Sequence, residues 1–397
     1  MTRPARLLIV SSGHLCCNPR PVKEAFTLGN AGHAVTLLTP LTDLRLSVLD
    51  ASLSKNAPFT HTCIPHRHSF ALRLHQWLAR RSVPAGVHSI HALGDASELL
   101  AAARNISADL TIVHNEVPHW IGTRLLAEGR RVAADIEDWH SEDLRPEDRR
   151  HRPLRLLQKT EHTLLHQAAY TSTTSLALAE ALHARYGGQR PHVITNSFPL
   201  QPAHVRSAPG MPPSFFWFSQ TLGPSRGLEA FLAAWSLAKA PSRLVLLGEP
   251  CHGYKERLLA LVPTDFRARI EFLPLVPPDE LPAIIARHDI GLALEDASIR
   301  NRDLTITNKI LQYLNAGLAI VASDTAGQRE VLNRSPEAGF IAATADEPTF
   351  AAQLDQLLKD SARLHASQRA ARQLAEDCYC WEREAPRLIE LVENSLR

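Results

Sequence analysis

Two kinds of segment alternate along the chain: short unbroken apolar runs, and longer stretches in which apolar residues recur at every third or fourth position. The first kind reads as buried strands and the second as amphipathic helices. In the first half ARLLIVSS, HAVTLLTP, LTIVHN, RVAADIED, YTSTTS and HVITNS predict strands, while PVKEAFTLGNAG and HWIGTRLLAEGR predict helices that each end near a glycine. In the second half FFWFSQ, SRLVLLGE, RIEFLPL, DIGLALE and LAIVAS predict strands, and GLEAFLAAWSLAK, PDELPAIIARH and TNKILQYLNAG predict helices. Strands joined through helices in this way lie parallel, which implies an α/β fold. A stretch rich in proline and small residues, Phe198 to Ser214, interrupts the alternation and reads as a linker. The expected architecture is two Rossmann-like domains facing each other across a cleft, residues 1–200 and 201–375, with a C-terminal helical segment over residues 376–397.

Candidate chemistry concentrates between Asp289 and Asp324, where Glu295 ends one strand, Thr307, Asn308 and Lys309 start a helix, and Gly317 stops it. Ligands of open parallel sheets gather beyond the carboxyl ends of the strands. Glu295, the loop carrying Arg300, Asn301, Arg302 and Asp303, and the first helical turn should therefore face a binding crevice. Open backbone N–H groups at that turn, with Lys309 beside them, suit a phosphate or diphosphate. A second candidate is SSGHLCCNPRPVKE after the first strand, with Gly13, Asn18 and Arg20 placed where a phosphate or sugar approaches. It matches neither the dinucleotide fingerprint nor the Walker pattern, and Pro19 and Pro21 imply a stiff loop. A metal site from Asp135, Asp138 and His140 is disfavoured because strand alternation scatters those side chains. No GxSxG elbow supports nucleophilic catalysis by serine.

At 397 residues, with 45% hydrophobic and 21% charged positions, the chain is long enough for two cores. No apolar run approaches the roughly 18 residues of a membrane-spanning helix. LLIVSS is too short for a secretory core, so a cytoplasmic location is expected. Six cysteines without CxxC spacing argue against a disulfide framework and a zinc ribbon. The net charge of +2 hides an uneven distribution: Ala51 to Gly94 contains no acid, while Lys55, Arg67, Arg73, Arg80 and Arg81 stand there among several histidines. Within it FALRLHQWLARR reads as an amphipathic helix, expected to dock its apolar face on its own domain and leave a solvated basic side. The alternative is a peripheral contact of residues 51–94 with the inner face of an anionic membrane, or with a phosphorylated acceptor. Neither this stretch nor RRHRPLRLLQK has the pattern of a nucleic-acid binder.

TNKILQYLNAG followed by LAIVAS resembles the nucleotide-sugar-dependent glycosyltransferases of the GT-B fold, specifically the large retaining family 4. Members carry an acidic residue after one strand, a helix ending like Glu-Tyr-Met-Ala-Ala-Gly, and then Leu-Pro-Val-Val-Ala-Ser. Here the helix ends in Gln312, Tyr313, Leu314, Asn315, Ala316 and Gly317. The resemblance implies an acceptor domain first, a nucleotide-sugar donor domain second, and a last helix crossing back. It implies transfer of a sugar from a nucleotide diphosphate sugar to a glycan, lipid-linked or other hydroxyl acceptor in surface glycan or glycoconjugate synthesis, with retention and without metal or cofactor. His140 and Glu295 would flank the transferred sugar, with Asp138 orienting His140. Gly13, Gln220, Arg226, Asn301, Thr307, Asn308, Lys309 and Gln312 would serve the donor, and Asn18, Arg20 and Asp138 the acceptor side. Two positions depart from the family. Gln312 replaces the Glu that holds the donor ribose, though an amide still hydrogen-bonds a hydroxyl. Gln220 and Thr221 stand where the family has an Arg, and Arg226 replaces a Lys before Gly227. These departures leave two alternatives: a degenerate member that binds a nucleotide sugar or partner without turnover, or another GT-B enzyme such as a sugar-nucleotide epimerase.

Overall fold

The structure, a computed structural model, describes residues 4–65, 70–202 and 212–397. Residues 203–211 of the expected linker, and Arg67 in the acid-free stretch, lie outside the described residues. The chain divides into two compact units, Met1–Ile194 with Ala385–Arg397, and Thr195–Glu384.

Unit 1 is built on seven strands, β1 (Arg6–Val10), β2 (Ala34–Leu41), β3 (Phe59–Pro65), β4 (Leu110–His114), β5 (Val132–Asp135), β6 (Thr171–Thr173) and β7 (His192–Val193). They pair in parallel in the order β3-β2-β1-β4-β5-β6-β7. Leu7, Leu8, Ile9 and Val10 are buried on both faces of β1, which is why central strands here read as continuous apolar runs. β3 escapes that pattern because FTHTCIP is an edge strand, half exposed and carrying polar residues. The helices that matter below are α1 (Pro19–Asn30), α2 (Leu44–Ser54) and α3 (Phe70–Ser82).

Unit 2 has β8 (Ser214–Leu222), β9 (Arg243–Pro250), β10 (Ile270–Leu273), β11 (Ile290–Ala293), β12 (Ala319–Ala322) and β13 (Gly339–Ile341), parallel in the order β10-β9-β8-β11-β12-β13. Alternate residues of β8 feed two cores. Phe215 and Trp217 pack with Phe231, Trp235 and Phe350 on one face, and Phe216 packs with Ile310, Tyr313 and Leu314 on the other. The helix Asn308–Ala316 ends at Gly317, whose φ of 68° is left-handed and suits glycine. Asn315 of that helix holds the start of the linker, accepting from the Gln201 N–H and donating to the Pro199 carbonyl.

Each sheet reverses its strand order once, between β1 and β4 in unit 1 and between β8 and β11 in unit 2. Chains leave the sheet in opposite directions at such a point, and the space left beyond the strand ends is where ligands bind in this architecture. Among the described residues no helix is long and apolar enough to cross a membrane.

The fit of the helix Asn308–Ala316 on β11 depends on Gly291, where an added Cβ would lie 2.2 Å from Cγ of Tyr313. Tyr313 is fully buried and set edge-on to Phe216 and Phe218, so it has nowhere to retreat. Gly291→Ala is expected to cost about 1–3 kcal/mol in chemical denaturation. Gly94→Ala, whose Cβ would meet only Val117 at 3.9 Å, should leave the midpoint unchanged.

Candidate functional site

The site in unit 2 is assembled at the reversal point by the turns that follow β8 and β11. After β8 the chain runs through Ser225 at φ 64° and Gly227 at φ 75°. A Cβ on Gly227 would lie 3.0 Å from that of Leu294, so glycine lets the turn close onto the end of β11. Ser225 adopts a left-handed conformation that costs a non-glycine residue about 1 kcal/mol or more, and Arg302 donates to its carbonyl at 3.0 Å. After β11, Glu295 is set by its own N–H donating to Ser323 Oγ at 2.9 Å, while Gln328 donates to the Ala293 carbonyl just before it.

Glu295 is 6% exposed and meets two cations. Lys309 Nζ lies 2.5 Å from one carboxylate oxygen and Arg226 Nη1 lies 3.2 Å from the other. Burial pushes the Glu295 carboxyl up, but Lys309 and then Arg226 outweigh it and hold it below the usual carboxylate range. Lys309 also stands 5.5 Å from the centre of the Trp217 ring. The helix behind Lys309 starts at Thr307 without a side-chain cap, and Thr307 Oγ1 is buried with no hydrogen-bond partner among the described residues. Its first N–H groups are thus left for a ligand, beside a net positive cluster. This arrangement can hold a polyanion while keeping a carboxylate next to it.

The other donor-side residues are dispersed around this centre. Asn301 is buried in the short helix Arg300–Leu304, Asn308 is exposed, and Asp303 accepts from the Ala326 N–H at 3.0 Å. Gln220 and Thr221 are exposed near the end of β8, Gln220 within a bulge and Thr221 where pairing resumes. Gln312 is half-buried, its Oε1 has no partner among the described residues, and it faces a cavity of about 60 Å³ lined also by Phe198, Pro199, Pro282 and Ile285.

Unit 1 has a second polar centre at its own reversal point. The turn after β1 keeps Gly13 because a Cβ there would meet Asn18 Nδ2 at 2.4 Å, and that amide donates to Ser11 Oγ. Arg20 differs from the expectation of an acceptor contact. The proline-flanked segment is the first turn of α1 rather than a loop, and Arg20 points beneath the sheet edge, 1% exposed. It donates to Asp135 at 2.6 and 2.8 Å and to the Ile194 carbonyl at 2.8 Å, with Glu24 at 3.6 Å and Glu137 at 3.9 Å. Burial raises the Asp135 carboxyl, yet Arg20 and His114 pull it down to about 2. Glu24, His114 and Asp135 bring ligand atoms within 4.8 Å of one another, a spacing that suits a cation, but Arg20 already supplies the positive charge there.

His140 belongs to a short helical turn, His140–Glu142, that is tied down from behind. Ser141 donates to Glu161 through both N–H and Oγ, and Tyr186 donates to the same carboxylate at 2.7 Å. His140 is 8% exposed, with Nδ1 3.7 Å from Glu116, and its Nε2 is buried without a partner among the described residues. Asp138 is half-buried and, after burial, contributes to raising Glu137. The sequence reading missed Asn115, which accepts from Ser11 Oγ and the Ser12 N–H and donates to Glu137. Its φ of 68°, rare outside glycine, marks the end of β4 as a constrained position, and an Asn directly after an apolar strand was the available signal.

Two outcomes follow for unit 1. Arg20→Met leaves buried carboxylates uncompensated and is expected to cost about 3–5 kcal/mol in denaturant unfolding. Burial and Asp138 push the Glu137 carboxyl up to about 7 against the pull of Arg20. A carboxyl raised in the folded state stabilises fully below its unfolded pKa and loses that contribution as pH rises through the folded value. Stability should therefore fall by on the order of 2 kcal/mol between about pH 5 and about pH 8. His114, lowered by burial but raised further by Glu24, adds a change of the same sign. Glu137→Gln should remove the Glu137 share and flatten the profile.

Residues 212–360 match the family model described as glycosyl transferases group 1. No curated protein matches the chain in sequence. Solved structures similar to it include HepE from Anabaena, in complex with UDP and glucose, at 14% identity and TM-score 0.71, covering 98% of this chain and 100% of that one. Sucrose-phosphate synthase from Thermosynechococcus elongatus is also 14% identical, with TM-score 0.71 and 99% of each chain covered. WaaG, a glycosyltransferase involved in lipopolysaccharide biosynthesis, is 13% identical, with TM-score 0.63 over 96% of this chain and 99% of that one. At such identities the likeness speaks for the fold, which is GT-B. Arg226, Glu295 and Lys309 all fall within the matched stretch, which is similar to a group 1 glycosyl transferase domain in a chain of GT-B fold, and together these matches support a glycosyltransferase.

Proposed function

We propose that the protein moves a sugar from a nucleotide diphosphate sugar to a hydroxyl of a glycan or lipid-linked acceptor, with retention of anomeric configuration and without a metal. The observation that carries this reading is the Glu295 carboxylate paired with Lys309 and Arg226 beside an uncapped helix start. HepE, similar in fold, is described with UDP and glucose bound. Lys309, Arg226 and the first N–H groups of the helix Asn308–Ala316 hold the donor diphosphate and stabilise the charge that grows on it as the glycosidic bond breaks. Because these groups are fixed before the reaction, they need no rearrangement at that moment. Glu295 keeps the two cations in register and offers an acceptor to the donor sugar. In unit 1 we assign the unpartnered Nε2 of His140 to a substrate hydroxyl.

No side chain is placed as a covalent nucleophile in this proposal. The departing diphosphate takes the proton of the acceptor hydroxyl on the face where the new bond forms, which gives retention. Gln312, where an acid is usual, offers its free Oε1 to a ribose hydroxyl through the neutral amide.

The test is incubation of the purified chain with nucleotide sugars and candidate hydroxyl acceptors, following acceptor-dependent release of the nucleotide diphosphate and reading the product anomer by NMR. Release with a retained anomer supports the proposal, and donor binding without turnover under any acceptor would favour a non-catalytic binder. Lys309→Ala and Arg226→Ala should each weaken nucleotide diphosphate binding by about tenfold to a hundredfold, the loss of a charge-assisted contact. Unchanged affinity in both folded variants would remove them from the site.

A further inference from the structure

We infer that α2 and α3 of unit 1 form a docking face for an anionic lipid bilayer. At about 100° per residue Phe70, Leu74, Trp77 and Leu78 share one face of α3, and Ala79, its buried residue, lies on the other. Phe70 is 76% exposed, Leu74 44%, Trp77 48% and Leu78 51%. The helix therefore rests on unit 1 through the side that carries Leu72, Gln76 and Ala79 and turns its larger apolar face outward, the reverse of the docking expected from sequence. Single exposed apolar residues are ordinary, whereas four on one helical face mark an interaction surface.

A bilayer fits better than a protein partner because of the charges around these residues. Between Ala51 and Gly94 the chain has no Asp or Glu. Arg73, Arg80 and Arg81 are exposed on α3, and the Arg81 guanidinium lies 4.3 Å from the centre of the Trp77 ring, pairing cation and aromatic at one level. This combination suits the headgroup boundary, where indole and guanidinium meet anionic lipid while Phe70 and the leucines enter the acyl region.

α2 repeats the pattern independently. Leu44 is 74% exposed and Val48, one turn on, 70%. Its own acid, Asp50, is turned inward, 2.6 Å from His14 Nδ1 and accepting the Cys16 N–H at 3.0 Å. His14 Nε2 in turn accepts the N–H groups of Thr42 and Asp43 ahead of α2. Within α2 itself no acid then faces outward, Asp43 ahead of it is paired with Arg45 at 3.0 Å, and the helix is fastened to the turn that carries Gly13 and Asn18. A face bound to lipid would present that turn to the bilayer surface, which selects a lipid-linked acceptor. The acceptor class rests on the transfer reading above, whereas the docking does not.

Flotation of the full chain with vesicles of phosphatidylglycerol and of phosphatidylcholine tests the docking, with nucleotide-induced thermal shift measured on the same samples. Binding to phosphatidylglycerol that weakens with salt, and little to phosphatidylcholine, is expected. Phe70→Ser with Trp77→Ser should reduce it at least about tenfold, and each of Arg73→Gln and Arg81→Gln roughly fivefold. The nucleotide shift should persist in all of them, so a failed docking and a failed donor site are told apart. Equal, negligible flotation with both lipids would overturn the proposal. So would a sedimentation equilibrium in which these substitutions convert a dimer to a monomer, since the face would then join two copies of the chain.

Discussion

A carboxylate buried at the carboxyl edge of a parallel sheet stays ionised only if opposite charge is brought to it, and both units are organised around that requirement. In unit 2 Glu295 is matched by Lys309 and Arg226, which come from the turns after β11 and β8. In unit 1 Asp135 at the end of β5 is matched by Arg20 from the first turn of α1. The consequences differ with exposure. Arg226 keeps about a third of its side chain open and can turn to a ligand, whereas Arg20 is sealed in and can only support the fold.

The same constraint explains why the local backbone is unusual where it is. Ser225 and Asn115 hold positive φ at the two reversal points, and each is stabilised by a neighbour, Arg302 on the Ser225 carbonyl and Ser11 on the Asn115 side chain. Strain of this kind persists only where surrounding contacts determine the conformation. It places Arg226 against Glu295 in unit 2, and in unit 1 it draws the ends of β1 and β4 together.

The alternation of buried runs with helical periodicity was legible because central parallel strands are covered on both faces, and Gly317 and Lys309 were readable from helix start and stop chemistry. β3 was not, since an edge strand such as FTHTCIP is half solvated and loses the apolar signal. Arg20 was misread because its partners, Asp135 and the Ile194 carbonyl, are 115 and 174 residues away and no local pattern announces them. α3 shows a different limit. Periodicity located the apolar face of FALRLHQWLARR, but which face rests on the domain depends on the packing around Ala79, which periodicity does not encode. Nor could spacing reveal that Lys309 and Arg226 share one carboxylate, because that requires the order in which β8 and β11 lie side by side.

The central claim is that Glu295 serves diphosphate binding by holding Lys309 and Arg226, in addition to the acceptor it offers the donor sugar. A double-mutant cycle of Glu295→Gln and Lys309→Met, read by calorimetric titration of UDP, addresses it directly. A coupled pair should show an interaction energy of about 1 kcal/mol or more, with the double variant less impaired than the sum of the two single ones. Additive losses, or UDP affinity indifferent to both substitutions, would contradict the account.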